Sequence, residues 1–334
     1  MTAPSKAAGS TAATASSIAS RLGRAFLTRP LIVIFVLSVI LAAAISPAFL
    51  STRNVFNLLQ QSSIDGIIAI GMTFVILGAG IDLSVGAVAA FGGMAVAILV
   101  SDMGVPAPLA ILLSVSLGAL IGLGQGLITA LTKVPSFIIT LGTMVSIRGL
   151  TYLLTDGKPV FGVPDSLRYL GNGFVGPVPV VGIIFIIVTI AAAVFLGRTR
   201  IGRYIFAAGG NPEAARLSGV PVASVIAFTF VVSGSLAAFG GVLLTAWLNV
   251  GQPTASQGVE LYAIAAVVLG GTSLFGGKGG VLGTFVAVIL LTILSNILNL
   301  AGVSPYFQQI LTGVVLVGTV LLNWAIARRS VPMA

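Results

Sequence analysis

Residues 178–196 read VPVVGIIFIIVTIAAAVFL, nineteen positions without a charged side chain. Crossing a hydrocarbon core about 30 Å thick takes roughly 20 mainly apolar residues at about 1.5 Å of rise each. The stretch therefore predicts a membrane-crossing helix. Working outward in both directions, nine more runs meet the same test, near 30–50, 57–78, 82–101, 107–130, 136–154, 222–247, 259–275, 281–300 and 306–326. Backbone polar groups in lipid must find partners within their own segment, so each run is read as helix. The expected fold is an all-α polytopic membrane protein with about ten transmembrane helices. Its connections are short except 155–177 and 197–221.

Composition supports this reading and removes whole classes of function. The 334 residues are 57% hydrophobic and only 7% charged, against roughly a quarter charged in a soluble domain. Cysteine and histidine are both absent, which excludes disulfides, thiol nucleophiles, thiolate or imidazole metal ligands and the commonest general base. The formal charge of +9 does not signal nucleic acid, because the basic residues sit singly at the ends of apolar runs and form no stripe. They sort by side of the membrane instead. With a cytoplasmic N-terminus and an even number of spans, Lys6, Arg21, Arg24, Arg29, Lys133, Arg198, Arg200, Arg203, Arg216, Lys278, Arg328 and Arg329 fall inside. Arg53, Lys158 and Arg168 fall outside, and Arg148 lies within a span. That asymmetry follows the positive-inside rule and puts both termini in the cytoplasm. Residues 1–29, rich in Ala, Ser and Thr, read as a flexible cytoplasmic tail, and 328–334 as a short C-terminal one. A signal peptide cleaved near Ala42, Ala43 and Ala44 is the competing reading, and the many spans downstream favour an uncleaved anchor.

Within the second long connection, GGNPEAARLSGVP at 209–221 predicts a small helix with a defined start and stop. Asn211 is a favoured N-cap, Pro212 suits the first helical position, and Glu213 meets the positive end of the helix dipole. Ala214 and Ala215 extend it, Arg216 lies towards its other end, Gly219 suits a left-handed closing position, and Pro221 prevents continuation. A free helix this short is unstable in water, so it is expected to dock on something. Its apolar side chains, Leu217 and the flanking Val220, are too few for strong binding to a lipid surface, which favours a protein partner.

The stretches GMTFVILGAGIDLSVGAVAA at 71–90, GRYIFAAGGNPEAARLSGV at 202–220 and AIAAVVLGGTSLFGGKGGVLGT at 263–284 closely resemble the membrane permease of ribose, xylose and galactose type ATP-binding-cassette importers. The resemblance runs in order from about residue 30 to 325. It implies an inner-membrane permease domain over 30–327 and a coupling helix in the loop 197–221, carried by Glu213, Ala214, Ala215 and Gly219, that inserts into a cleft of an ATPase subunit. It also implies an external, periplasmic sugar-binding protein and a homodimer in which sugar crosses between the two copies. ATP and Mg²⁺ then belong to the ATPase, and this chain binds no cofactor of its own. Its nearest approach to a phosphate loop, GTSLFGGKGG at 271–280, has Thr272 where the first glycine belongs and Gly279 where Ser or Thr should follow Lys278. No ATPase site is therefore expected here. Family members often read ELDAIA where this chain has ELYAIA, so Tyr262 replaces an acid and the particular sugar is left open.

Ionisable groups inside spans mark functional hypotheses. Asp65 and Arg148 are candidates for a pair across helices, or for snorkelling near an interface. Asp82, in the family signature GIDLS, can cap the third span with Ser84 nearby. Glu260, Asn296 and Asn299, with Asn249, Gln252, Gln308 and Gln309, supply groups suited either to passing sugar hydroxyls or to bonds between helices. An ion-coupled secondary transporter, with Asp65 as coupling carboxylate and Arg148 as its partner, is the alternative, and a channel-like or scaffolding protein a third. Two glycine-rich zones about 190 residues apart, within 75–99 and 267–290, resemble each other; tight turns attract glycine in any case, so the likeness alone does not establish a repeat. Gly118, Gly122 and Gly126 stand one helical turn apart, a spacing that lets two helices approach closely.

Overall fold

In the computed structural model, residues 30–132 and 134–304 are described, with 306–308, 310, 311, 313, 314, 317 and 318. The tail 1–29, Lys133, Gln309, most of the tenth run and Arg328 and Arg329 lie outside them. The described elements are α1 Pro30–Ile45, a 3₁₀ turn Pro47–Leu50, α2 Thr52–Leu77, α3 Val85–Ser101, α4 Ala107–Thr132, α5 Ser136–Leu153, α6 Asp165–Asn172, strands β1 Phe174–Val175 and β2 Val178–Pro179, α7 Val180–Arg198, α8 Arg200–Gly210, α9 Pro212–Leu217, α10 Val222–Leu248, α11 Val259–Leu269 and α12 Val281–Leu300. Among the described residues, α2, α4, α5, α7, α10 and α12 are long and apolar enough to cross a membrane, and three apolar helices are shorter. The protein is thus all-α and polytopic.

The shorter helices depart from the expected runs for local reasons. Pro47 cannot continue the i to i−4 ladder, so the first run splits into α1 and the 3₁₀ turn. The third begins at Val85 rather than 82 because 78–84 is a turn, with Ala79 left-handed at φ 61°. The eighth stops at Leu269 instead of 275, since four glycines between 271 and 279 take positive φ and coil the chain back. At eleven residues α11 rises only about 16 Å, half the hydrocarbon thickness. Irregular backbone at such depth needs partners within the protein, and Gly277 N–H finds one in the Leu77 carbonyl at 3.0 Å. The two glycine-rich zones are thus the turns of two helix pairs, α2/α3 and α11/α12, and they touch. One helical turn away, the hydroxyls of Thr73 and Thr284 lie 2.9 Å apart.

At the centre of the bundle, α2 is buried over 83% of its most apolar window, walled by α7, α10, α11 and α12. The closest seam joins α4 and α10, where Gly118, Gly122 and Gly126 meet the backbone of Gly234, Phe230 and Ala227 in antiparallel order. The small-residue spacing on α4 therefore serves internal packing. In contrast, α5 is largely uncovered by the other described residues and packs mainly against α3 and α4. The connection 155–177, read as a loop, contains α6 and leads into a two-stranded hairpin. Asn172 Nδ2 fastens α6 to the end of α10 by donating to the carbonyls of Ala246 and Trp247 at 2.9 and 3.0 Å.

Candidate functional site

The turn 78–84 brings polar groups from four helices to one buried point. Asp82 is fully buried. Its Oδ1 accepts the Ser84 N–H at 3.0 Å and the Ser84 hydroxyl at 2.6 Å; its Oδ2 accepts the Ser233 hydroxyl of α10 at 2.8 Å and Gln125 Nε2 of α4 at 3.3 Å. The Ser84 hydroxyl also lies 3.1 Å from Gln125 Oε1, and the shorter contact takes its single proton. From α5, Ser136 and Thr140 accept the backbone N–H groups of Ile81 and Leu83 at 2.9 and 3.1 Å. Asp82 thus bonds Ser84, the residue that opens α3, rather than a first-turn N–H of the helix as a cap would, and it ties that residue to α4 and α10. The N-cap position itself is Ser84. Sequence reasoning missed Gln125, Ser136, Thr140 and Ser233, although a lone amide in LGALIGLGQG at 117–126 is a signal of its own, since a polar group in an apolar span needs a partner.

Asp65 and Arg148 do not form the anticipated pair. Arg148 Nη1 donates to the carbonyls of Pro253 and Ala255 at 3.1 and 2.8 Å, with Glu260 within electrostatic range. Asp65, on α2, has the Tyr262 side chain as its electrostatic neighbour. The cause is topological: Arg148 lies near the end of α5, on the rim of the bundle facing the 250–258 loop, while α2 runs through the middle. Tyr262 Oη lies 3.0 Å from both the Val288 carbonyl and the Thr292 hydroxyl. Asn296 exchanges two hydrogen bonds with Asn54, at 2.8 and 2.9 Å, and Asn299 Oδ1 accepts Gln308 Nε2 at 2.8 Å. These amides join helix to helix or helix to loop.

The surface helix α9 is built as its residues dictate. Asn211 Oδ1 accepts the Ala214 N–H at 2.9 Å, and Pro212 follows where no intrahelical N–H is needed. At the other end, Val220 N–H bonds the Ala215 carbonyl and Gly219 N–H the Arg216 carbonyl, both at 3.0 Å. With Gly219 at φ 81°, this is a Schellman closure. Glu213 and Arg216 pair at 2.6 Å on the exposed side, and the hydrogen bond that Arg216 donates to Glu213 holds the guanidinium protonated above its ordinary range. Ala215 faces inward at 5% exposure, while Leu217 stands out at 78%. A second surface helix, α8, was absent from the expected loop. Thr199 caps it by accepting the Gly202 N–H at 3.0 Å, and Asn211 closes α8 while opening α9. The two helices thus meet at one shared residue.

A transport-protein family described as branched-chain amino acid transport system / permease component matches residues 54–320. The chain belongs to this permease family. The permease is 43% identical over 307 residues to the ribose import permease protein RbsC of Haemophilus influenzae, covering 91% of this chain and 95% of that protein. To RbsC of Bacillus subtilis it is 43% identical over 296 residues, 88% of this chain and 91% of the relative. The D-allose transport system permease protein AlsC of Escherichia coli is 37% identical over 299 residues, with 88% and 91% covered. No solved structure matches the permease.

Proposed function

We propose that this permease is the membrane subunit of an ATP-binding-cassette importer for a monosaccharide of the ribose, xylose or galactose class. The family description names branched-chain amino acids, whereas the relatives that match nearly the whole chain are named for ribose and allose. The sugar class follows those relatives. The observation that carries the drive is α9, a helix capped at both ends that holds Leu217 out at 78% exposure. An apolar side chain held in water on a rigid support suits insertion into a partner's cleft. In this reading a separate ATPase subunit with its ATP and Mg²⁺ docks on Asn211 to Gly219, an external binding protein delivers sugar, and two copies of the permease enclose the path. The chain has no ATPase site of its own. Ten spans over 30–327, both termini in the cytoplasm of an inner-membrane protein, the tails 1–29 and 328–334 and the coupling loop 197–221 complete the scheme.

Among the candidate pathway groups we assign Arg148 and Glu260 to meet sugar arriving from outside, a role supported by the contact of Arg148 with the 250–258 loop. Asp82, Asn296 and Asn299 hold the bundle together. Asp65 is the carboxylate an ion-coupled mechanism would need, but Arg148, the partner named for it, is engaged elsewhere. The absence of cysteine makes the test direct. A single Cys at Leu217, chosen over the inward-facing Ala215, is crosslinked in native membranes and its partner identified by mass spectrometry. Recovery of an ATP-binding-cassette ATPase, lost when Glu213 and Gly219 are replaced, is the expected result; sugar uptake that survives ATP depletion overturns the reading.

A further inference from the structure

Between α7 and α10 the surface opens into a groove of about 390 Å³, lined by Phe74, Val188, Ala192, Phe195, Phe228 and Leu236 among others, with the Ser235 hydroxyl the one polar group on its wall. The α7 side of the wall repeats at 188, 191, 192 and 195, the spacing of one helix face. Continuing that stripe by one turn reaches Arg198, the last residue of α7 and exposed. On α10 the wall repeats at 228, 231, 232 and 235. The rings of Phe195 and Phe228 stack with centroids 5.6 Å apart and 24° between planes, so the end of α7 and the start of α10 lie at one level. Arg198 then stands about 4.5 Å along the axis beyond the stack. Arg200 and Arg203 follow on α8, both exposed. Among the described residues none of these three arginines forms an ion pair.

An apolar trough with a cation one helical turn beyond its lining fits a ligand that is long and apolar with one anionic end. We propose that the groove holds one acyl chain of an anionic phospholipid whose phosphate is met by Arg198, with Arg200 and Arg203 strengthening the local positive field. Guanidinium and phosphate match in charge and can bond in bidentate fashion, and basic residues between spans are a recurrent anionic-headgroup site. A zwitterionic phospholipid presents the same phosphate, but its ammonium group opposes the positive field of Arg198, Arg200 and Arg203. Headgroup preference, rather than occupancy alone, is therefore the signature of the site. The assignment needs only a membrane around the bundle and stands apart from the sugar reading.

The test uses the whole permease in nanodiscs of mixed phosphatidylethanolamine and phosphatidylglycerol, with lipid retained after transfer to mild detergent identified by mass spectrometry. Wild type is expected to keep phosphatidylglycerol preferentially. Ala191→Trp, which fills the groove, should lose the retained lipid severalfold, and Ser235→Leu, a gentler filling, should lose part of it. Arg198→Gln should keep lipid while its preference for phosphatidylglycerol falls severalfold, because one of the three charges that separate an anionic from a zwitterionic headgroup is gone. Equal retention by both filled variants overturns the groove, and an unchanged preference in Arg198→Gln overturns the headgroup contact. Retention of inorganic phosphate without lipid, or a shift from dimer to monomer in Ala191→Trp, assigns the face to another occupant and overturns the proposal.

Discussion

Asp82 receives four hydrogen bonds from three other residues that sit 2, 43 and 151 positions away. Removing the acceptor strands every donor in a place water does not reach, and each unsatisfied buried group costs about 1–3 kcal/mol. Asp82→Asn keeps the shape but turns an amide NH₂ towards donors, so it should lower stability by about 2 kcal/mol, and Asp82→Ala by more. Thermal unfolding of the detergent-solubilised protein measures both, and an Asp82→Asn protein as stable as wild type rules the network out as a fastener. Asn211 and Gly219 act at the two ends of α9. Asn211→Ala should cost α9 about 1 kcal/mol of cap energy, and Gly219→Ala about 1–2 kcal/mol of left-handed backbone strain, since nothing crowds the added methyl. Faster amide exchange confined to 212–217 reports the fraying, and reduced ATP-driven uptake reports its effect. The contrast explains what could be read in advance. The caps of α9 are local, five residues apart or fewer, and the residue types alone predict them. The partners of Asp82 are set by how α4 and α10 cross, and the same distance in sequence hides the separation of Asp65 from Arg148.

Helix against helix, the α4–α10 seam depends on absent side chains. A β-carbon on Gly122 would overlap the Phe230 carbonyl, whereas one on Gly124, two positions on, meets nothing within 4 Å. Gly122→Ala should therefore force the pair apart and lower the unfolding temperature, while Gly124→Ala should be neutral or slightly stabilising, by up to about 1 kcal/mol from helix propensity. Equal effects from the two substitutions would contradict a close seam. The three-glycine spacing was legible because a helix repeats every 3.6 residues. By contrast, α6 and α8 were not, because each is an eight- or eleven-residue amphipathic segment too short and too mixed to register as an apolar run. The early end of α11 escaped for the opposite reason: the residues that follow it, GGTSLF at 270–275, carry no charge, so the uncharged run continued where the helix did not.

Across the whole molecule, burial is lopsided. One long helix is enclosed on nearly every side, while α5 presents Phe137, Ile138, Leu141 and Val145 on an uncovered face. In a homodimer that encloses a path, this is the flank available for the second copy. A single Cys at Val145 should then crosslink copy to copy in native membranes, doubling the mass on a denaturing gel, whereas one at Ile190 on α7 should not. The reverse pattern would place the pairing surface on the other side of the bundle. The all-helical polytopic class and the membrane setting were readable from composition and run length, because they reflect the solvent rather than the contacts. Which flank is left open is a property of packing, and composition carries no trace of it.

Gly209, near the end of α8, lies so close to the Leu77 carbonyl and the Gly277 backbone that a β-carbon there would overlap them. It forms a bearing. Because Asn211 is shared between α8 and α9, no free linker separates that contact from the exposed side chain of Leu217. If an ATPase docks on α9 as proposed, its push would reach the last turn of the central helix through two helices rather than through a loop.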